Sequence, residues 1–199
     1  MTTLNSEGMF VSPSIRHRRF HTIEHGKLDA IKAIVLHQTD SSTAEATFNA
    51  YQSGSNGAHF LIDTDGRIYQ TASAHKRCYH VGRLIKSRCL EIKPFSCADA
   101  ELAKAKALGW AARVKEIDKI ERTKKYPDRF PVNSDSLGIE LVGRHINDTT
   151  YEAVSSTQSS SLRWLLNLLY QTFTIGSDDT FRHPQVSYKN PGEAASAKW

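Results

Sequence analysis

At 199 residues the chain is long enough for one domain with a full hydrophobic core and short for two. Its apolar runs span only a few residues, which excludes a membrane-inserted helix of roughly twenty, and the polar stretch from Met1 to Glu7 lacks the apolar region of a signal peptide. The net charge of +5 is unevenly placed, because residues 76–129 hold 15 Lys and Arg against 7 Asp and Glu and the rest of the chain is acidic on balance. Such a segment is either a solvated helix face or a surface for a polyanionic partner. It lacks the interleaved aromatics of a single-strand or RNA-binding surface, so no nucleic-acid partner is expected. Cys78, Cys89 and Cys97 have no C-x-x-C spacing and read as reduced thiols, with one disulfide after export as the alternative.

In chain order, residues 1–30 read as a polar N-terminal arm in which His17, His21 and His25 stand among Arg16, Arg18 and Arg19. Three histidines at spacing four would share a helix face, but Pro13 and the lack of an apolar stripe favour an incidental basic arm. Residues 31–37 read as a buried strand that closes on His37 at the mouth of a cleft. Asp40 to Thr43 then offers an N-cap for a helix from Ala44 to Tyr51. Two β-prone runs, 58–62 and 67–70, flank Asp63-Thr64-Asp65-Gly66 as a hairpin. A polar loop runs from His75 to Gly82.

From Ala98 to about Lys125 the apolar spacing predicts a helix with one interruption at Gly109, ended by Pro127 and Pro131. The strand 137–143 plants Glu140 among apolar residues, where a carboxylate either points outward or serves chemistry. Thr157 to Phe173 is an amphipathic helix with Leu162, Leu165, Leu166 and Leu169 on one face. A last strand from Thr180 leads to His183 and a loop containing Lys189 and Glu193, a mixture that a zinc site can use. This order of elements predicts an α/β domain with a central mixed β-sheet flanked by helices.

Five stretches in order carry a resemblance: Ile34 to Thr39, Gly57 to Gln70, His80-Val81-Gly82, Asn133 to Gly143, and His183 with Lys189. In these the chain resembles the zinc-dependent N-acetylmuramoyl-L-alanine amidases, amidase type 2, whose fold is shared by peptidoglycan-recognition proteins and T7-type phage lysozymes. The resemblance covers most of residues 31–199 and leaves 83–132 as a basic, largely helical insertion, expected to form a lid or subsite wall. It implies hydrolysis of the amide between N-acetylmuramic acid and L-alanine in bacterial peptidoglycan. It also implies a zinc ion on His37 and His183, Glu140 as the carboxylate that moves the proton, Lys189 beside the oxyanion, and His80 against the substrate.

The third zinc ligand departs from the family pattern. The residue before Pro191-Gly192 is Asn190, where the family usually places a Cys or Asp, whereas Glu193 stands ten positions after His183, a spacing that some members use. A carboxylate binds zinc better than a neutral amide, so Glu193 is expected, with Asn190 as the fallback. Some phage members have a Tyr where this chain has Ala58 and lack the carboxylate matching Glu140, so the chain looks like the Glu-using branch. A non-catalytic peptidoglycan-binding module is the competing reading. A chain made in the cytoplasm without a signal peptide would reach the wall after lysis or by delivery, and a delivered enzyme would imply an immunity partner.

Overall fold

The structure, a computed structural model, describes residues 2–91 and 100–199. Six strands form one mixed sheet: β1 (Ile15–His17), β2 (Ala33–Gln38), β3 (Phe60–Ile62), β4 (Ile68–Gln70), β5 (Ser136–Leu141) and β6 (Thr180–Arg182). Their spatial order is β6-β2-β5-β3-β4-β1. Every neighbouring pair is parallel except the β3/β4 hairpin. The central strands β2 and β5 are buried along nearly their whole length, which explains why they read as continuous apolar runs.

Side chains alternate across the sheet, and this decides what each face carries. Ile34 and Leu36 of β2, Leu137, Ile139 and Leu141 of β5, and Phe60 and Ile62 of β3 pack on one face against Leu162, Leu165, Leu166 and Leu169. Those leucines belong to α4 (Ser156–Phe173), whose start is closed by a capping box between Ser155 and Gln158. The opposite face carries Ala33 and Val35 of β2, packed with Val81, Leu84 and Phe130, while Leu61 packs with Phe48 and Tyr51 of α1 (Ala44–Ser53). His37 is the next residue of the Ala33, Val35 series. Glu140 lies directly beside it in the parallel register.

The expected insertion helix is two helices, α2 (Ala100–Lys106) and α3 (Trp110–Arg122), broken at Gly109; residues 98 and 99 of that expectation lie outside the described residues. Leu102, Ala105, Ile117 and Ile120 form a small core between them. This helix pair is tied to the rest of the fold where Leu84 N donates to Asp118 and Arg122 donates to Gly82 O. Residues 2–30 contribute β1 as the edge strand, and Gln70 binds this segment by accepting from Phe10 N and donating to Gly8 O. Cys89 is disulfide-bonded, which corrects the reading of three reduced thiols, whereas Cys78 is free and buried. Among the described residues no helix is long and apolar enough to cross a membrane.

Candidate active site

The carboxyl ends of β2, β5 and β6 open into a cleft of about 540 Å³, on the sheet face that carries α1. His37 enters it from the end of β2, Glu140 from β5, and His183 from α5 (His183–Val186), the single turn that follows β6. Glu193 comes from the C-terminal loop, which is held at several points. Gln38 accepts from Ala194 N at 3.2 Å, and Arg182 donates to Ala194 O and Ala197 O at 2.9 and 2.7 Å. Gly192 allows the close approach this needs, because a Cβ there would sit 2.2 Å from Thr149 O.

Three buried donor atoms converge at one point. His37 Nδ1 lies 2.9 Å from His183 Nδ1 and 3.5 Å from Glu193 Oε1, and the third side of the triangle, His183 to Glu193, is 3.0 Å. Two ligands on a tetrahedral zinc with bonds of 2.0–2.1 Å stand about 3.3 Å apart, so the triangle matches one face of such a site. Two nitrogens and a carboxylate oxygen are also a donor set that zinc takes in hydrolases. The residues fit the ion.

Electrostatics separate the two carboxylates. Burial works against charge on Glu193, but the imidazoles of His183 and His37 beside it prevail and bring it down to about 2. Burial, helped by the charge of Glu193, pushes Glu140 up to about 8 against the opposing pull of Lys189. Glu140 Oε2 is buried and has no hydrogen-bond partner among the described residues, so it is free to engage something in the cleft. Burial and then His183 lower His37 to about 4 and keep it a neutral lone-pair donor.

Of the residues expected from the sequence, His37, His183 and Glu193 form the cluster, and Glu140, Lys189 and His80 line the same cleft. Asn190 is outside the cluster. Its amide donates to Asn147 O and accepts from Gly192 N, while its carbonyl accepts from Glu193 N, so it shapes the turn that presents Glu193. The N-terminal histidines do not share a site: His17 bonds Phe10 O, His21 bonds Glu24, and His25 bonds Ser55 O.

Sequence reasoning passed over Tyr51 and Tyr151, which also line the cleft. Tyr51 reads as an apolar position of an amphipathic helix, yet its hydroxyl accepts from Ala58 N at 3.3 Å in the cleft wall. Only the helix register against the strand reveals this. Tyr188, next to Lys189, is strongly exposed and meets Trp110 of α3 edge-on with ring centroids 5.0 Å apart, so α3 borders the loop that carries Lys189.

A family profile described as N-acetylmuramoyl-L-alanine amidase matches residues 27–195. No curated protein matches. Among solved structures, a selenomethionine derivative of AmpD is similar over 99% of this chain and 96% of its own, at 18% identity and a TM-score of 0.59. A mutant endolysin from Bacillus subtilis covers 85% and 82% at 16% identity and a TM-score of 0.51. AmpDh3 from Pseudomonas aeruginosa, solved with an anhydromuramic pentapeptide, covers 94% of this chain and 59% of its own at 18% identity and a TM-score of 0.50.

Proposed function

The chain belongs to the N-acetylmuramoyl-L-alanine amidase family, and we propose that it is a zinc hydrolase that cuts the amide between the lactyl group of N-acetylmuramic acid and L-alanine in bacterial peptidoglycan. The observation that carries this reading is the His37, His183 and Glu193 triangle beside Glu140 and Lys189 in one cleft. His37 and His183 would hold the ion through Nδ1 and Glu193 through Oε1. When bound, zinc supplies Lewis-acid activation of water and of the scissile carbonyl.

The chain's own residues handle the proton and the charge. Glu140, whose buried Oε2 has no hydrogen-bond partner among the described residues, takes the proton of the attacking water and returns it to the departing alanine nitrogen. Lys189 places an ammonium at the cleft for the negative charge that develops on the carbonyl oxygen. The basic segment 76–129 draws the acidic polymer, and its helix α3 reaches the loop that carries Lys189 through Trp110 and Tyr188.

Metal analysis of the purified protein, followed by digestion of sacculi and mass spectrometry with and without a chelator, tests this reading. Stoichiometric zinc and chelator-sensitive release of stem peptides with a free L-alanine terminus are expected. Glu140→Gln should keep its zinc and lose about 100-fold to 10,000-fold in rate. Glu193→Ala should bind zinc more than about 100-fold more weakly, since losing a ligand costs more than losing its outer partner. A zinc-free protein that binds sacculi and releases nothing overturns the proposal in favour of a binding module.

A further inference from the structure

His37 uses only one ring nitrogen in the cluster, and the other is occupied. Its Nε2 lies 3.0 Å from His80 Nδ1, with the rings nearly perpendicular at 87°. The far nitrogen of His80, Nε2, lies 3.3 Å from both Ser136 O and Ser136 Oγ. The Ser136 hydroxyl donates to Val132 O at 2.8 Å. Its proton is therefore committed, and His80 Nε2 faces two acceptors.

From this the direction of each bond follows. His80 Nε2 carries the ring proton and donates to Ser136, which leaves a lone pair on Nδ1. That lone pair accepts from His37, so the proton of His37 sits on Nε2. The Nδ1 lone pair of His37 then points at His183 and Glu193. We propose that His80 is a positioning residue for the metal centre, one that holds His37 in its Nε2–H tautomer and orientation rather than contacting substrate.

The surroundings are built to keep His80 in place. Asn133 Oδ1 accepts from the backbone N–H of both His80 and Val81, at 3.0 and 2.7 Å, and the Asn133 amide returns a bond to Val81 O. The ring lies close against β5 at Gly138, where a Cβ would come within 2.9 Å of His80 Cγ and 3.0 Å of Nδ1. A single strand thus supplies Ser136 as acceptor, Gly138 as clearance and Glu140 in the cleft. Outer partners of ligating histidines fix tautomer and ring angle in this way, and their loss weakens metal binding by about 10-fold to 100-fold.

The inference rests on the zinc reading of the same site, and the test separates the two. Zinc affinity is measured by competition with a chromophoric chelator for the wild type, His80→Phe, which fills the space without an acceptor, and His80→Asn, whose amide oxygen takes the place of Nδ1. In parallel, nitrogen shifts of His37 are read by NMR in the metal-free protein. Expected are a 10-fold to 100-fold weaker zinc complex for His80→Phe, recovery of most of that loss in His80→Asn, and an Nε2–H His37 that loses its tautomer preference only in His80→Phe. Equal zinc affinity and an unchanged tautomer in His80→Phe, with a raised KM alone, overturns the proposal and restores a substrate contact. A wild type that binds no zinc defeats the metal reading, while the tautomer measurement still decides the role of His80. Near-ultraviolet circular dichroism confirms that each variant is folded, and if His80→Phe is not, His80→Leu takes its place.

Discussion

His59 is buried as deeply as the cluster histidines but serves the sheet. Its Nδ1 accepts from Gly138 N at 3.0 Å and its Nε2 donates to Lys76 O at 2.9 Å, so both ring nitrogens are used as a neutral imidazole uses them. Burial lowers it to about 4 from 6.5. The depressed value means that the unfolded chain takes up a proton between pH 6.5 and 4 that the folded chain refuses. Stability therefore falls with pH through that window, by about 1.4 kcal/mol per unit from this group. His59→Gln removes the titration and loses part of the hydrogen bonding, so it should cost about 1–3 kcal/mol at pH 7 and show a shallower decline to pH 5. Urea unfolding at the two pH values measures both, and an unchanged slope would assign the acid sensitivity elsewhere. The two bonds make His59 a core hydrogen-bonding residue of the sheet. For His80 the family resemblance implies substrate contact, while the bonds to Ser136 and Asn133 on which the positioning proposal rests leave no trace in residue spacing.

At the scale of elements, legibility follows burial. β2, β5 and α4 are long, apolar and well bounded, and their patterns name both the element and the face it buries. β1 has three residues and buries only Ile15, so a polar arm was all that its composition could suggest. The α2–α3 segment shows its helical spacing and its break at Gly109, but what it packs against depends on contacts between distant segments. The Trp110–Tyr188 pair is where that packing meets the loop of Lys189, and Arg113 sits over the Trp110 ring at 5.6 Å. Exposed aromatics beside the loop of a cleft residue are surfaces on which a large substrate can rest. Trp110→Ala is expected to raise KM for intact sacculi about 10-fold while kcat changes little, since a loss of 1–2 kcal/mol in uniform binding appears in KM. Kinetics on sacculi, set against a short soluble muropeptide that cannot span both regions, provide the check. Equal losses on the two substrates would mean that Trp110 supports Lys189 rather than the polymer.

Over the whole molecule, the topology joins what the chain separates. His37 and His183 are 146 positions apart, and they meet because β6 pairs in parallel with β2, so that both strands end at the same edge of the cleft. Glu193 then arrives by a short loop pinned to Gln38 and Arg182. An ion held by three such ligands binds the folded chain and has no comparable site in the unfolded one. Its contribution is set by mass action, about 2.7 kcal/mol when free zinc is 100 times its Kd. For a domain of this size each kcal/mol moves the midpoint by about 2–4 °C, so zinc should raise Tm by roughly 5–10 °C over the chelated protein. The shift should vanish in Glu193→Ala, where the triangle lacks its carboxylate, and persist in Glu140→Gln, which leaves the ligands intact. Differential scanning calorimetry across a zinc titration reads all three. A wild-type Tm indifferent to zinc would show that the three donors do not close on an ion in solution, whatever their separation in the fold, and the hydrolytic reading would fall with them.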